Sequence, residues 1–135
     1  MNVQAVMSRN VKSCGSNASL ADAAKMMARN DCGALPVVDV QYKVIGMITD
    51  RDICLAVANA DRLASAMPVS EVMAKSVSCC GPDDDLHAAL QTMRNKKVRR
   101  LPVVDSNGKL CGLLSMDDIV LHAEGGKAEK ALEVG

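Results

Sequence analysis

The sequence predicts an α/β (α+β) protein built from two copies of one β-α-β-β-α unit, and three observations carry that prediction. Val6 to Ile53 is repeated, without insertion, by Val72 to Ile119, and 17 of the 48 paired positions are identical. A gap-free internal repeat marks a duplicated supersecondary unit, here too small to bury a good core alone. Within each copy, strand-like apolar runs alternate with the i, i+3, i+4, i+7 spacing of a buried helix face. Turn-forming residues stand at the boundaries between these segments.

The elements follow in order. Each copy opens with Val-Met (Val6-Met7, Val72-Met73) and a short polar stretch. Val11-Lys12-Ser13-Cys14 and Val77-Ser78-Cys79-Cys80 then read as short strands, stopped by Gly15 and by Gly81-Pro82. Adjacent residues of a strand point to opposite faces, so Cys79 and Cys80 should diverge. The first helix of each copy buries Leu20, Ala23, Ala24 and Met27, or Leu86, Ala89, Leu90 and Met93. Ser19 with Asp22 resembles a capping pair, and Asp83 to Asp85 place negative charge where the second helix dipole favours it. Leu35-Pro36-Val37-Val38-Asp39 and its copy Leu101 to Asp105 are strands whose proline suits a first position or a bulge rather than the middle of a central strand. Asp105-Ser106-Asn107-Gly108 is a strong turn signal into the next strand, whereas Tyr42 stands in place of Gly108 in the first copy. Thr49 and Ser115 each end a strand and start a helix, with Asp52 and Asp118 three residues on. The expected division is a first repeat at 1–59, a linker at 60–71, a second repeat at 72–123 and a flexible tail at 124–135.

Composition narrows the function. The 135 residues fit one domain of two halves, and no apolar run approaches the roughly 18 needed to cross a bilayer. The opening Met-Asn-Val-Gln-Ala has no basic segment ahead of an apolar one, so a cytoplasmic protein is expected. A net charge of zero argues against nucleic acid and anionic membranes as partners. Tyr42 is the sole aromatic residue, so stacked-base recognition is nearly excluded, and the core must rest on aliphatic residues and nine methionines. The six cysteines form no Cys-x-x-Cys pair, and His87 and His122 lie near none of them; buried, reduced thiols are expected, with no metal site. No catalytic motif occurs, so no catalytic residue is assigned.

Leu-Pro-Val-Val-Asp, followed by Gly46-Met47-Ile48-Thr49-Asp50-Arg51-Asp52 in one copy and Gly112-Leu113-Leu114-Ser115-Met116-Asp117-Asp118 in the other, resembles tandem cystathionine-β-synthase (CBS) domains. The resemblance spans about residues 3 to 123. It implies a CBS pair, or Bateman module, whose pseudo-twofold-related units pack through their sheets and which forms homodimers. It also implies binding of adenosine-containing ligands (AMP, ADP, ATP, S-adenosylmethionine or NAD) in clefts between the repeats, with no cofactor required. With no partner domain attached, such a stand-alone module would signal to a separate regulated protein.

Carried over by this resemblance, Thr49 with Asp52 and Ser115 with Asp118 supply a hydroxyl for phosphate and a carboxylate for ribose. A helix N-terminus adds free N–H groups and a favourable dipole. The same residues, read alone, are capping boxes. The resemblance also places Ser13 and Cys79, with Gly33-Ala34 and Arg99-Arg100, along the adenine. Ala34 leaves space, while Arg100 fills the cleft or pairs with phosphate. Arg51 reaches a phosphate where Asp117 repels one, which ranks the Thr49 site first. The run Lys96-Lys97-Val98-Arg99-Arg100 reads as a solvated helix end, or as a phosphate clamp or docking patch. Two rival functions remain: a ligand-free structural or dimerisation module with degenerate clefts, and a thiol-redox enzyme with a low-pKa cysteine.

Overall fold

Strand and helix formation follow the repeat. The structure, a computed structural model, describes residues 1 to 123; the tail expected at 124–135 lies outside the described residues. Two compact units emerge. One holds residues 12 to 77 and 107 to 110; the other holds 1 to 11, 78 to 106 and the chain from 111.

In the first unit, β1 (Cys14–Gly15), β2 (Ala34–Val38) and β3 (Val44–Thr49) form a sheet in that order, β1 parallel and β3 antiparallel to β2. α1 (Leu20–Arg29) starts at Ser19, whose hydroxyl accepts from the Asp22 amide (3.0 Å) while Asp22 accepts from the Ser19 amide (3.2 Å). The Ser19 amide, and then the Ser19 hydroxyl, stabilise the charged Asp22 carboxylate and hold it below the usual carboxylate range. Leu20, Ala23 and Met27 are buried, and Ala24 packs at the core edge, as the periodicity predicts. They meet Leu35 and Val37 of β2, Ile48 of β3 and Ile53 of α2 (Asp50–Ala60). Short 3-10 turns at Ala64–Ala66 and Val69–Glu71 add Met67 and Val69 to this core.

In the second unit, α3 (Leu86–Lys96) lies with the two-stranded sheet of β4 (Arg100–Val104) and β5 (Leu110–Ser115), and residues 116 to 123 are helical. Its core joins Ala89 and Met93 to Leu101, Val103 and Leu114. Val3 and Met7 complete it, from the 3-10 turn Val3–Ala5 and the residues after it. Val3 corresponds to Val69 at the 66-residue shift. The opening segment of each repeat therefore packs into the core containing the other repeat's helix and strands.

Three local expectations need correction. The first strand is only Cys14–Gly15, with Gly15 inside it, and in the second repeat only Cys80 bridges, to Val103. This short strand also explains Pro36, which lies mid-strand in the central β2 rather than at its start. Pro36 is opposite Met47, whose amide and carbonyl turn away to Ala74 (3.0 and 2.9 Å). Its nitrogen thus faces the β1 side. There the register seen at Cys80, which donates to Pro102 (3.0 Å) and accepts from Val104 (2.9 Å), would offer an amide only the Lys12 carbonyl, outside the strand. No ladder bond is lost by the missing N–H.

The cysteines are the third correction. Cys14 and Cys80 are buried and Cys111 half-buried, but Cys32, Cys54 and Cys79 are exposed. Apolar neighbours in sequence did not ensure burial, because successive residues of a strand or helix face different ways. Cys79 and Cys80 do diverge as expected. The Tyr42 turn works without glycine: Tyr42 is left-handed (φ 66°), and Asp39 Oδ1 accepts from the amides of Gln41 (2.8 Å) and Lys43 (3.0 Å).

Candidate functional site

Thr49 is the last residue of β3 and the cap of α2. Its Oγ1 accepts from the Asp52 amide (3.0 Å), and Asp52 Oδ2 accepts from the Thr49 amide (3.1 Å), so the capping box is complete. Capping uses one carboxylate oxygen of the half-buried Asp52. It leaves Oδ1 as an acceptor and the Thr49 hydroxyl proton as a donor. Ala34 is the register partner of Thr49, and the next amide, Asp50, donates to the Gly33 carbonyl (3.0 Å). Gly33 and Ala34 are thus held against the helix opening, although the Ala34 side chain is buried. Arg51 is exposed and has no ion-pair partner among the described residues.

Asp31, Gly33, Asp50 and Ile53, with Ala24 and Met27 of α1, line a cleft of about 470 Å³. Asp31 and Asp50 were not among the predicted site residues. A Cβ on Gly33 would lie 3.1 Å from Asp50 Oδ2, so a bare backbone at 33 accommodates a carboxylate at 50.

The second opening repeats the frame with different side chains. The Asp118 amide donates to Ser115 Oγ (3.0 Å), and the Met116 amide donates to the Arg99 carbonyl (2.8 Å). Arg99 pairs with Asp117 at 3.4 Å, so that carboxylate meets a cation already. Both groups are exposed, which makes the pair weak. Arg100, the first residue of β4, is exposed. Ser13 and Cys79 precede Cys14 and Cys80, and no hydrogen bond ties them to Thr49 or Ser115.

Four of the six thiols run against nucleophile chemistry. Burial pushes Cys14 up to about 11, Cys80 up to about 12, and raises Cys79 and Cys111 as well. An unfolded thiol ionises near 9.0, so above that pH the unfolded chain sheds protons that the folded chain keeps. Stability should therefore fall from pH 9 toward 11 or 12, by up to about 1.4 kcal/mol per pH unit for each thiol. Urea melts at pH 8 to 11 check this, and Cys80→Ala should flatten the slope. Alkylation of the native protein at pH 8 should label the exposed Cys32 and Cys54 first, label Cys79 more slowly because burial raises its thiol, and spare Cys14 and Cys80. No group of three metal-ligating side chains among the described residues is placed to hold an ion, and no described helix is long and apolar enough to cross a membrane.

The architecture and its paired, hydroxyl-capped helix openings define a tandem-repeat α/β module. The chain belongs to the CBS domain family, whose model matches residues 3–59 and 69–125. An uncharacterised 17.7 kDa protein of Acidianus ambivalens is 41% identical over 103 residues, which are 76% of this chain and 61% of that protein. This chain thus spans under two thirds of that relative. Among solved structures, the CBS domain pair of protein MJ0100, in complex with 5′-methylthioadenosine and S-adenosyl-L-methionine, superposes with a TM-score of 0.83 at 28% identity, covering 94% of this chain and 98% of that one. CBSX2 in complex with AMP gives 0.80 at 28% identity, covering 93% and 98%.

Proposed function

We propose that this protein is a non-catalytic regulatory CBS pair, with repeats at 1–59 and 72–123 joined by 60–71. It binds an adenosine-containing ligand (AMP, ADP, ATP, S-adenosylmethionine or NAD) at the Thr49/Asp52 and Ser115/Asp118 openings. It acts in the cytoplasm as a homodimer and signals to a separate protein. The observation that carries the reading is the duplicated hydroxyl-x-x-Asp geometry, with the Asp amide 3.0 Å from the hydroxyl in both units. Support also comes from the AMP, methylthioadenosine and S-adenosylmethionine bound by the two similar proteins. Each opening offers N–H groups for an anion and a carboxylate for a diol, which is the recognition chemistry of a nucleotide. Ligand occupancy switches such a module only through unequal affinity for its two arrangements.

Calorimetric titration with AMP, ATP, S-adenosylmethionine and NADH tests the reading; no heat with any of them, and no shift in melting temperature, would refute it. Asp52→Asn separates cap from site. The amide oxygen still accepts from Thr49, so the melt should move by less than about 1 kcal/mol. The lost charged acceptor should weaken ligand binding at that opening by about tenfold or more. Unchanged binding with Asp52→Asn would leave the residue a cap alone.

A further inference from the structure

We infer that the two openings select ligands of different charge: the Ser115 opening takes adenosine ligands that carry phosphate, and the Thr49 opening takes those that carry none. The inference rests on the reading that adenosine ligands bind at these openings, and it reverses the order that Arg51 and Asp117 alone suggested.

The backbone frames match. The Asp50 amide reaches the Gly33 carbonyl at 3.0 Å, and the Met116 amide reaches the Arg99 carbonyl at 2.8 Å. Asp31 and Lys97 hold the same left-handed conformation, φ 50° and 56°. The backbone bonds at these positions correspond, so the side-chain charges can be compared position by position. At the first opening Asp31 and Asp50 line one cleft, and Asp52 adds a third carboxylate against the single guanidinium of Arg51, a net charge of −2. At the second, the matching positions carry Lys97, Arg99 and Arg100 with Asp117 and Asp118, a net charge of +1. Met116 removes the carboxylate that Asp50 supplies, and Arg99 sits 3.4 Å from Asp117, blunting the negative charge there.

A phosphate within a few ångströms of either set lies well inside the screening length of about 8–10 Å, so the summed charge decides. Three carboxylates oppose a dianion more than one arginine attracts it. The same carboxylates favour a neutral thioether nucleoside or a cationic sulfonium. The side chains that set the preference, Asp50, Arg51 and Arg100, are all exposed, so replacing them should leave the fold intact.

The test is calorimetry of the full chain with AMP and with 5′-methylthioadenosine, for the unaltered protein, Arg100→Gln, Arg51→Gln and Asp50→Asn, each checked for folding by circular dichroism. Arg100→Gln should weaken AMP binding by about three- to tenfold and leave methylthioadenosine within about twofold. Asp50→Asn should strengthen AMP binding at the first opening, and raising salt should weaken AMP but not methylthioadenosine. Loss of AMP binding with Arg51→Gln but not with Arg100→Gln would overturn the assignment, as would equal loss of both ligands with Arg100→Gln. Absence of heat with either ligand on the unaltered protein is a separate result: it removes the adenosine reading itself, and the inference with it.

Discussion

Deleting residues 1 to 8 is expected to unfold the unit built on residues 78 to 123 while the unit built on residues 12 to 77 keeps its own core. The segment is distant in sequence from what it stabilises. Val3 is fully buried and Met7 nearly so, both in the core of Ala89, Met93, Leu101 and Leu114. The backbone is tied as firmly. Val3 donates to Asp84 (2.9 Å), Gln4 to Pro82 (3.0 Å) and Leu86 to Met1 (3.0 Å), and Ser8 exchanges two bonds with Leu113 (2.9 and 3.0 Å). Two buried side chains at about 2 kcal/mol each, with five hydrogen bonds at about 1 kcal/mol, fall within the range of about 5–15 kcal/mol that holds a whole domain. A milder form of the test is Val3→Ala, costing about 2 kcal/mol, with Val69→Ala as its counterpart. Hydrogen exchange locates the damage. Val3→Ala should lower protection in 86–104, and Val69→Ala in 20–53. Loss in 20–53 from Val3→Ala would show that the opening segments are not exchanged.

That exchange was partly legible. Identities become frequent from Val6, yet Val3 and Val69 also stand 66 residues apart. What no pattern could supply is which core each valine enters, because both are equally apolar and the choice depends on non-local packing. The helix faces were legible for the opposite reason: Leu20, Ala23 and Met27 meet the core through local periodicity alone. Proline is excluded from a central strand only where it breaks a ladder bond, and whether Pro36 does so depends on the length of β1, which two residues of sequence do not advertise. At the candidate site, the hydroxyl and the Asp of each helix opening are visible from spacing. Asp31 and Asp50 are not, because their convergence depends on the Gly33 carbonyl accepting from Asp50, a contact between segments 17 residues apart.

Gly46→Ala should destabilise the protein by about 2 kcal/mol or more, and Gly112→Ala likewise in the other unit. Neither glycine has a positive φ, so backbone freedom does not require it. The requirement is space. A Cβ at 46 would lie 2.6 Å from Met73 Sδ and 2.9 Å from the Ala74 carbonyl oxygen; at 112 it would lie 2.7 Å from Met7 Sδ and 3.0 Å from the Ser8 carbonyl oxygen. The thioether can swing aside, because methionine is flexible. The carbonyls cannot: Ala74 is clamped to Met47 by two hydrogen bonds, and Ser8 to Leu113 by two. Adding a methyl therefore forces the crossing segment off the strand. Glycine-to-alanine replacement at an unstrained position would otherwise stabilise by about 0.4–1 kcal/mol through the unfolded state. Gly15→Ala serves as that control, since nothing lies within 4 Å of its Cβ position and its φ is not positive. Urea denaturation should thus move the midpoints of Gly15→Ala and Gly46→Ala in opposite directions. Combining Gly46→Ala with Met73→Ala should recover only part of the loss, because the fixed Ala74 carbonyl remains. Full recovery would place the whole clash on the methionine and leave the carbonyl clamp without a part in holding glycine at this position.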